Sequence, residues 1–297
     1  MALIEHTLMG KTDKVKTAIE RIRNFDPITN GFMDEPYFVA YSGGKDSDAL
    51  RILFDLSNVK YDLVHNHTTV DAPETVYYVR SIPGIQISYP KMSMWKLIVK
   101  KRMPPTRIVR YCCSELKERG GVGRIASTGV RWSESVRRKN NRGSLEIATA
   151  KMENKIILNA DNDENRRLFE NCTVKGKRML NPIIDWTDDD VWEFLDYHGC
   201  QSNHLYKCGY KRIGCLGCPM ARPKLRMRDF ERYPKYKDAY IRTFDRSITK
   251  AAKSEKPLKW KTGEECFDWW MTDPVKKKEI NEQIKLFEFA EEGDDDV

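Results

Sequence analysis

Apolar residues occur in short runs and in helical repeats over the first two-thirds of the chain. The run from Tyr37 to Tyr41 contains only apolar and aromatic residues, which is typical of a short buried strand. The segment after it predicts an amphipathic helix, because its apolar positions recur every three or four residues. These positions are Ala49, Ile52, Leu53 and Leu56.

Two further apolar runs, over residues 61–68 and 124–130, predict additional strands. The first leads into an acidic turn in which Pro73 suits the first turn of a helix. Strands that alternate with helices pair in parallel. The helix carries the chain back to the end of the sheet where the previous strand began, so the next strand runs in the same direction. The sequence therefore predicts an α/β fold with a doubly wound, mostly parallel sheet covered by helices on both faces.

The two ends of the chain have a different pattern. Apolar positions at helical spacing predict a mostly helical lead-in before the first strand, and Thr187 is predicted to cap a later helix. The acidic tail from residue 291 to 297 is expected to fray. We therefore expect a helical lead-in over residues 1–36, a nucleotide-binding α/β domain over 37–200, and a cysteine-containing helical region over 201–297.

Composition and charge restrict the class of protein. Of the 297 residues 40% are hydrophobic, which is enough to bury a core and excludes wholesale disorder. The 52 Lys and Arg residues exceed the 44 Asp and Glu residues and leave a net charge of +8, which suits an anionic ligand and permits nucleic acid. No apolar run approaches the roughly 18 residues of a membrane span, and residues 1–10 lack a leader pattern. We expect a cytoplasmic protein, in whose reducing surroundings the 8 cysteines indicate metal binding or catalysis.

The segment Ser42-Gly43-Gly44-Lys45-Asp46-Ser47 lies between the first predicted strand and its helix. Its glycines let successive backbone N–H groups face one point, and the helix N-terminus adds partial positive charge. The spacing differs from the Walker loop, which has four residues between its glycines. This segment predicts a pyrophosphate cradle, and the alternative is a glycine-rich turn that binds nothing.

Together with three later motifs, this loop resembles the PP-loop ATP pyrophosphatase superfamily, and within it the phosphoadenosine-phosphosulfate (PAPS) reductase family. The later motifs are His67–Thr75, Gly129–Ser135 with the arginines just beyond it, and Asn181–Trp192. The resemblance covers about residues 35–220. It implies an adenine nucleotide α-hydrolase-like fold that binds ATP or a related adenine nucleotide.

The resemblance also implies roles for individual residues of these motifs. Arginine side chains grip phosphate or sulfate oxygens in a bidentate manner, although the same arginines would also suit a solvated basic face. The residues expected to take part in catalysis are Lys45, Asp46, Arg131, Glu134 and Arg137. The residues expected to bind the nucleotide are Ser42, Gly43, Gly44, Lys45, Asp46, Ser47, Asp71, Glu74, Gly129, Arg131, Ser135 and Arg138.

Three acidic side chains are candidates to hold Mg²⁺, namely Asp46, Asp71 and Glu74. Magnesium favours one or two carboxylates together with substrate phosphates. Asp71 and Glu74 would equally complement the dipole at the start of a helix, so both interpretations stay open.

Four cysteines form a second group, Cys112-Cys113 and the CxxC pair of Cys215 and Cys218. A CxxC pair brings two thiolates to one metal from a single turn, and four thiolates suit structural zinc or an iron–sulfur cube. Zinc ribbons use two CxxC units, so the vicinal pair departs from their pattern. The arrangement resembles the iron–sulfur branch of the PAPS reductase family, which includes adenylyl-sulfate reductases and DNA phosphorothioation proteins. We therefore predict a 4Fe–4S cluster at these cysteines, with zinc as the alternative.

The C-terminal part lacks a feature of the reductases in this family. A sulfonucleotide reductase attacks sulfur with a cysteine in a Glu-Cys-Gly-Leu/Ile-His segment near its C-terminus. Here Glu265-Cys266 is followed by Phe267-Asp268-Trp269-Trp270, and no later cysteine follows. Without the glycine and the histidine, we expect Cys266 to be packed in a helix rather than to act as a nucleophile.

These observations predict an enzyme of the PAPS reductase family, an ATP pyrophosphatase that carries a 4Fe–4S cluster and activates an acceptor for sulfur transfer. The loop would hold the β- and γ-phosphates, and Arg131 and Arg137 would offset charge at the α-phosphate. One alternative is a sulfonucleotide reductase that releases sulfite. Another is a nucleic-acid-binding component of a modification or defence system that uses ATP as a switch, motivated by basic stretches at residues 100–110, 137–142 and 211–228. The expected partners are an adenine nucleotide and, beyond it, a sulfur-donor protein, nucleic acid or a second copy of the chain, without a membrane.

Overall fold

The computed structural model describes residues 1–7, 10–31, 33–118, 120–148, 156–158, 177–253 and 257–272. The chain divides into two compact units, each of which is discontinuous along the sequence. We call them the sheet unit and the cysteine unit. The sheet unit comprises Met1–Asn66, Pro73–Ser88 and Gly120–Ile213, and the cysteine unit comprises His67–Ala72, Tyr89–Arg119 and Gly214–Val297.

The sheet unit is built on a mixed sheet in which parallel pairing dominates. The strands of the sheet unit are β1 (Ile4–Thr7), β2 (Gly10–Asp13), β3 (Tyr37–Ala40), β4 (Tyr61–Asn66), β5 (Gln86–Ser88), β6 (Ile125–Ser127), β7 (Leu145–Ala148), β8 (Ile156–Leu158) and β9 (Lys177–Leu180). Within the described residues, the main sheet has seven strands in the order β5-β4-β3-β6-β9-β7-β8. The neighbouring strands in the series β5-β4-β3-β6-β9 pair in parallel. Strand β7 pairs antiparallel with both β9 and β8. The predicted α/β class with a mostly parallel central sheet is confirmed.

The helices begin at residues that the sequence marks as caps. The Asp13 side chain accepts hydrogen bonds from the N–H groups at the start of α1, and Thr187 caps α7 as predicted. Pro73 is the first residue of α3, also as predicted. The helices are α1 (Lys14–Asn24), α2 (Lys45–Ser57), α3 (Pro73–Arg80), α4 (Met94–Lys101), α5 (Tyr111–Leu116), α6 (Val136–Asn141), α7 (Asp188–Tyr197), α8 (Pro223–Arg232), α9 (Pro234–Ala252) and α10 (Gly263–Met271), with short 3-10 helices at Trp132–Glu134 and His204–Tyr206.

The order of the strands reverses at β3, which places two loops next to each other. From β3 the chain passes to β4 and β5 on one side, and it returns on the other side of β3 as β6. Loops that follow the carboxyl ends of such a strand pair form the crevice in which open parallel sheets bind ligands. In this unit they are residues 41–44, after β3, and residues 128–131, after β6. The apolar core of the unit includes Val39, Leu53, Phe54, Ile125 and Trp186, which are fully buried.

The cysteine unit is helical and has an aromatic core. The ring of Tyr240 on α9 lies 4.8 Å from that of Trp270 on α10, measured between centroids, and Phe230 of α8 contacts both residues. Aromatic rings bury a large apolar area and pack in tilted or edge-on arrangements such as these. Of the helices described in either unit, none is both long enough and apolar enough to cross a bilayer.

The N-terminal region differs from the helical lead-in predicted for residues 1–36. A hairpin of β1 and β2 precedes α1. The helix cannot extend further toward the N-terminus, because Asp13 caps it and Gly10 has a φ of +123°, a conformation outside the helical region. The prediction of a helix here was right only for α1.

Each region expected from the sequence is one continuous stretch, whereas each of the two observed units combines three separate stretches of the chain. Val70 accepts a hydrogen bond from the N–H of Leu216 at 2.8 Å, and Thr69 Oγ1 accepts one from the N–H of Met94 at 2.9 Å. Residues 67–72 are therefore held by segments that are far away in sequence, and no local pattern predicts such contacts. The acidic tail at 291–297 lies outside the described residues.

Candidate functional site

The loop after β3 turns through two glycines into α2. Gly43 has a φ of +75°, in the left-handed region that favours glycine. A Cβ atom on Gly43 would lie 2.9 Å from Cγ2 of Val79 and 3.2 Å from Cγ2 of Thr75. A Cβ atom on Gly44 would lie 3.2 Å from the hydroxyl oxygen of Tyr206. The loop is thus packed tightly on both sides, which explains why it contains two glycines.

Serine side chains close the loop onto the first turn of α2. Ser47 Oγ accepts a hydrogen bond from the N–H of Gly44 at 3.1 Å and donates one to the Gly44 carbonyl at 2.7 Å. Ser42 Oγ donates to Ser47 Oγ at 3.3 Å. In the structure these predicted phosphate donors shape the loop itself.

Two side chains from the segment after α7 support the loop. The hydroxyl oxygen of Tyr206 accepts a hydrogen bond from the N–H of Lys45 at 2.8 Å, and Asn203 Nδ2 donates to the Gly43 carbonyl at 3.3 Å. For the backbone N–H groups of Gly43 and Asp46, the described part of the chain provides no acceptor. Both can donate to an anion at the N-terminus of α2, where the helix dipole adds positive potential.

Charged side chains from both loops form a network at the start of α2. Arg131 is 1% exposed, and its Nε donates to Asp46 Oδ1 at 2.8 Å. Another nitrogen of Arg131 donates to Asp188, which also pairs with Lys45 Nζ at 3.1 Å. Burial raises the pKa of Asp188, but the hydrogen bonds from Arg131 and Lys45 outweigh it and hold that pKa below its ordinary value. Arg131 therefore positions both carboxylates, and its hydrogen bond to Asp188 favours the ionised form of that group.

Further predicted residues lie in and around α6. Ser135 accepts a hydrogen bond from the N–H of Arg138 at 3.2 Å and so caps this helix, while the Arg138 side chain pairs with Glu134. Burial, together with the positive charge of Arg212, lowers the pKa of Arg138 to about 10. A pKa lowered by a like charge indicates a local excess of positive charge that a bound anion would relieve. Arg137 lies within α6, but its side chain is outside the described part of the structure.

A buried carboxyl group that the sequence analysis did not single out belongs to the first turn of α2. Asp48 is fully buried, and its Oδ1 accepts a hydrogen bond from the Tyr41 hydroxyl at 2.5 Å. Among the described residues, its Oδ2 has no hydrogen-bond partner. Burial raises the pKa of Asp48 to about 6. The start of α2 therefore contains a carboxyl group that changes its charge just below neutral pH.

In the cysteine unit, α5 carries the vicinal cysteines. Cys112 is buried and Cys113 is half-buried. The Cys112 thiol donates a hydrogen bond to the Cys113 sulfur, which lowers the pKa of Cys113 and raises the pKa of Cys112. Of the two, Cys113 therefore forms the thiolate more readily, the form that binds metals.

The CxxC pair is held by the segment that precedes α3. Cys215 forms an isolated β-bridge with Asp71, and its thiol donates to Thr68 Oγ1 at 3.5 Å. The N–H of Cys218 donates to the Cys215 carbonyl at 3.2 Å, which closes the turn. The charges of Cys215 and Cys218 contribute to raising the pKa of Cys112, whose largest cause is its hydrogen bond to Cys113. The four predicted metal ligands thus share one electrostatic environment.

Lys117 lies next to these thiols, and no three of the described cysteine sulfurs lie close together. The negative charge of Cys215 raises the pKa of Lys117, which follows α5 and hydrogen-bonds that cysteine. Within the described residues, no three cysteine sulfurs all lie within 4.8 Å of one another. A tetrahedral zinc site with Zn–S bonds of about 2.3 Å needs sulfurs about 3.8 Å apart.

The three carboxylates predicted to hold magnesium have separate partners. Asp46 is engaged by Arg131, whereas Asp71 accepts hydrogen bonds from the N–H and the hydroxyl of Thr68, both at 2.8 Å. Burial raises the pKa of Asp71, but hydrogen bonds from His67 and Thr68 outweigh it and hold the pKa at about 2. Glu74 lines a cavity of about 890 Å³ formed by α2, α3 and the segment after α7.

The structure brings together many of the predicted residues and adds some that the sequence analysis missed. Besides the pairs above, a Cβ atom on Gly129 would lie 2.8 Å from the Asp46 carbonyl, so the loop after β6 touches the start of α2. Cys266 is 2% exposed in α10, and burial raises its pKa. Three of the missed residues carry no local signal, since each meets its partner across a long stretch of chain. They are Lys117, Asn203 and Tyr206.

The chain is similar in sequence to known proteins. The sequence-family model of the phosphoadenosine phosphosulfate reductase domain matches residues 36–221. An uncharacterised protein of Methanocaldococcus jannaschii is 28% identical over 198 residues, which cover 62% of this chain but 36% of that protein, so the chain spans little more than a third of this relative's length. Adenosine 5'-phosphosulfate reductase of Allochromatium vinosum is 39% identical over 48 residues, covering 16% of this chain and 19% of that enzyme.

A solved structure with a similar fold is the U34-tRNA thiolase NcsA of Methanococcus maripaludis with its 4Fe–4S cluster. It has a TM-score of 0.42 and 11% sequence identity, and the match covers 88% of each chain. The family match over residues 36–221 takes in more than half of the 297 residues and includes the glycine loop, the segment after β6 and all four cysteines. The chain belongs to the phosphoadenosine phosphosulfate reductase domain family.

Proposed function

We propose that this protein cleaves ATP between its α- and β-phosphates, transfers adenylate to an acceptor oxygen and so prepares that position for a sulfur nucleophile. The observation that carries the proposal is the set of four cysteine thiols in one electrostatic environment, in a member of this family with a tightly packed glycine loop. The loop supports the nucleotide chemistry, and the thiols support the sulfur chemistry.

The loop residues would bind the β- and γ-phosphates. The N–H groups of Gly43 and Asp46 have no other acceptor in the described structure, and the α2 dipole is directed at the same place. Arg138 lies in an excess of positive charge that a phosphate would relieve. Fixed donors of this kind stabilise a leaving pyrophosphate without reorganising during the reaction.

In the proposed step, the acceptor oxygen forms a bond to the α-phosphorus while the bond from that phosphorus to the bridging oxygen breaks. Pyrophosphate leaves with the electron pair of the broken bond, and the proton of the acceptor passes to solvent. Lys45 offsets part of the charge that develops on the leaving group. Arg131 is engaged by Asp46 and Asp188, so we assign it a positioning role. Direct contacts of Arg131 or Arg137 with the α-phosphate stay predictions, as does magnesium binding.

The four cysteines suit an iron–sulfur cluster better than zinc. Four thiolates are the usual ligands of a 4Fe–4S cluster, and the vicinal pair Cys112-Cys113 departs from the two CxxC units of zinc ribbons. The lowered pKa of Cys113 favours its thiolate, and Lys117 offsets thiolate charge. When bound, such a cluster would supply an iron that can ligate sulfur or accept an electron. Cys112, Cys113, Cys215 and Cys218 would hold it.

Product identification tests the proposed reaction. The full chain, isolated anaerobically, is incubated with ATP and a deproteinised cell extract that supplies acceptors, and in parallel with adenylyl sulfate and with PAPS. We expect AMP-containing product and pyrophosphate from ATP, and loss of both in Gly44→Val, whose side chain would collide with the Tyr206 hydroxyl. Release of ADP and phosphate would contradict the proposal, and sulfite without pyrophosphate would support a sulfonucleotide reductase instead.

The sulfonucleotide reductase is the second candidate, favoured by the local identity to an adenosine 5'-phosphosulfate reductase. Its chemistry requires a reactive cysteine in the C-terminal part, where Cys266 is buried in α10 with a raised pKa. We expect Cys266→Ala to retain turnover and to lower the free energy of unfolding by about 1 kcal/mol, because it removes one buried atom. Loss of turnover in a folded Cys266→Ala protein would favour the reductase.

A further inference from the structure

A basic groove on the cysteine unit plays no part in the proposed reaction. It is a cavity of about 330 Å³ between α4 and α9. Ser247 of α9 is buried and donates a hydrogen bond to the Ile98 carbonyl of α4 at 3.4 Å, so the two helices are in close contact beneath it. Four cationic side chains line it, and all four are exposed. They are Lys96, Lys100, Arg246 and Lys250.

The described part of the protein does not neutralise these cations. In the described part of the chain, none of the four forms an ion pair with an acidic side chain. The sequence of α4 contains no acidic residue. On α9, the Asp245 carboxylate accepts a hydrogen bond from the N–H of Gly263, and Asp238 lies two turns before Arg246. Counted over the described residues, the groove therefore has a local surplus of positive charge.

The cations form two rows rather than one converging pocket. Lys96 and Lys100 are four residues apart on α4, and Arg246 and Lys250 are four residues apart on α9. Four residues of helix correspond to about 6 Å along the axis. Arg242 and Lys253, both exposed, continue the charge along and just beyond α9. Two parallel rows of cations suit a linear polyanion, which presents one charge after another, better than a single phosphate.

The floor between the rows is apolar and includes an indole ring. Met92, Trp95 and Val99 line the groove together with the cations. The Trp95 ring is only partly buried, and it is held edge-on against Tyr240 at 5.0 Å between centroids. A basic groove with an aromatic ring is the combination that binds single-stranded nucleic acid, because the cations track the backbone and the ring stacks on a base. A duplex would offer its backbone but no free base face.

From the unpaired cations and the apolar floor, we infer that the α4–α9 groove binds a single strand of nucleic acid. The basic stretches noted in the sequence are poorer candidates, because several of their arginines are engaged within the protein. Arg107 donates to the Pro219 carbonyl, Arg142 pairs with Glu146, and Arg226 is buried and donates to the Trp270 carbonyl. This inference goes beyond the proposed reaction with ATP.

Fluorescence anisotropy with a labelled oligothymidylate of about 15 nucleotides tests the inference over a range of salt concentrations. ATP is omitted, so the result does not depend on the proposed reaction. The groove variant is Lys96→Gln/Lys100→Gln/Arg246→Gln/Lys250→Gln. The matched control is Lys11→Gln/Lys60→Gln/Arg80→Gln/Lys224→Gln, which removes the same charge at exposed residues that do not line the groove. Circular dichroism and melting temperature check that both variants are folded.

We expect the unaltered chain and the control to bind with affinities within about twofold of each other, and the groove variant to bind at least tenfold more weakly. The slope of log affinity against log salt should fall by about 3 in the groove variant, since each phosphate contact to a single strand contributes about 0.7. Equal binding by the groove variant and the control would overturn the inference. So would equal or tighter binding of a duplex of the same length, or of vesicles of anionic phospholipid.

Discussion

At the scale of single residues, the glycine loop over residues 42–47 depends on one backbone conformation and on the space around it. Gly43 combines a positive φ with close contacts to α3, while Gly84 has nearly the same φ, +72°, in open surroundings. A substitution at Gly84 therefore measures the cost of the backbone conformation alone. The same substitution at Gly43 adds the effect of displacing the loop.

We predict that Gly84→Ala lowers the free energy of unfolding by about 1 kcal/mol and leaves ATP binding unchanged. Gly43→Ala should cost at least about 1 kcal/mol more, because its Cβ would overlap Val79, and it should weaken ATP binding at least tenfold. Urea unfolding and equilibrium nucleotide binding measure the two effects. Equal ATP affinity in the two variants would show that the loop does not bind the nucleotide.

Asp48 makes stability depend on pH in a defined window. Its pKa is about 6 in the folded protein, compared with an ordinary value of 3.8. The folded state therefore keeps a proton that the unfolded chain has already released, so stability is highest below pH 4 for this group and falls as the pH rises toward 6. The difference of about two pKa units corresponds to about 3 kcal/mol.

We predict that Asp48→Asn is more stable than the unaltered protein at pH 7, by up to about 3 kcal/mol, because the buried charge is gone while Tyr41 keeps an oxygen acceptor. The difference should disappear near pH 4. Asp196→Asn on the exposed side of α7 is the matched control and should change stability by less than about 0.5 kcal/mol. Urea unfolding from pH 4 to 8 measures this, and a stability gap that does not change with pH would contradict the assignment.

At the scale of elements, the short helix α5 and the residue after it supply both thiols and a positive charge to the cysteine site. The helix contains the vicinal cysteines Cys112 and Cys113. The residue just after it, Lys117, hydrogen-bonds Cys215 of the CxxC pair. The positive charge of Lys117 opposes the mutual repulsion of the thiolates. The interaction joins residues 98 positions apart, which is why the sequence predicts the cysteines but not the lysine.

We predict that Lys117→Met weakens iron retention by about tenfold or more, the scale on which residues that support metal ligands act. Lys117→Arg should keep the charge and retain iron. Iron per chain after gel filtration with a weak chelator measures the effect, with circular dichroism as a check of folding. Equal iron in the Met and Arg variants would show that the charge of Lys117 does not matter.

Elements with local signals could be predicted from the sequence. The apolar run of β3, the glycines after it and the amphipathic α2 lie next to one another in the chain, and Thr187 marks the start of α7 by its own side chain. The hairpin of β1 and β2 could not be predicted, because four-residue strands are too short to establish a period of two. The strand predicted at 61–68 ends at Asn66, and Thr68 instead hydrogen-bonds Asp71.

At the scale of the whole molecule, the sequence points to candidate residues for the chemistry but not to the contacts that hold them in place. Asn203 and Tyr206 support a loop about 160 residues away, and Arg131 pairs with Asp46 and Asp188. Such contacts depend on the order of strands in the sheet and on the exchange of segments between the two units. Neither leaves a periodic trace in the sequence.

The central claim is that Cys112, Cys113, Cys215 and Cys218 form one iron–sulfur site. The most direct measurement is the amount of iron, acid-labile sulfide and zinc per chain in anaerobically isolated protein, for the unaltered chain and for Cys215→Ser, with Cys208→Ser as the matched control. We expect about four iron and four sulfide in the unaltered and control proteins, and loss of both in Cys215→Ser. One zinc per chain without sulfide, or full iron in Cys215→Ser, would contradict the account.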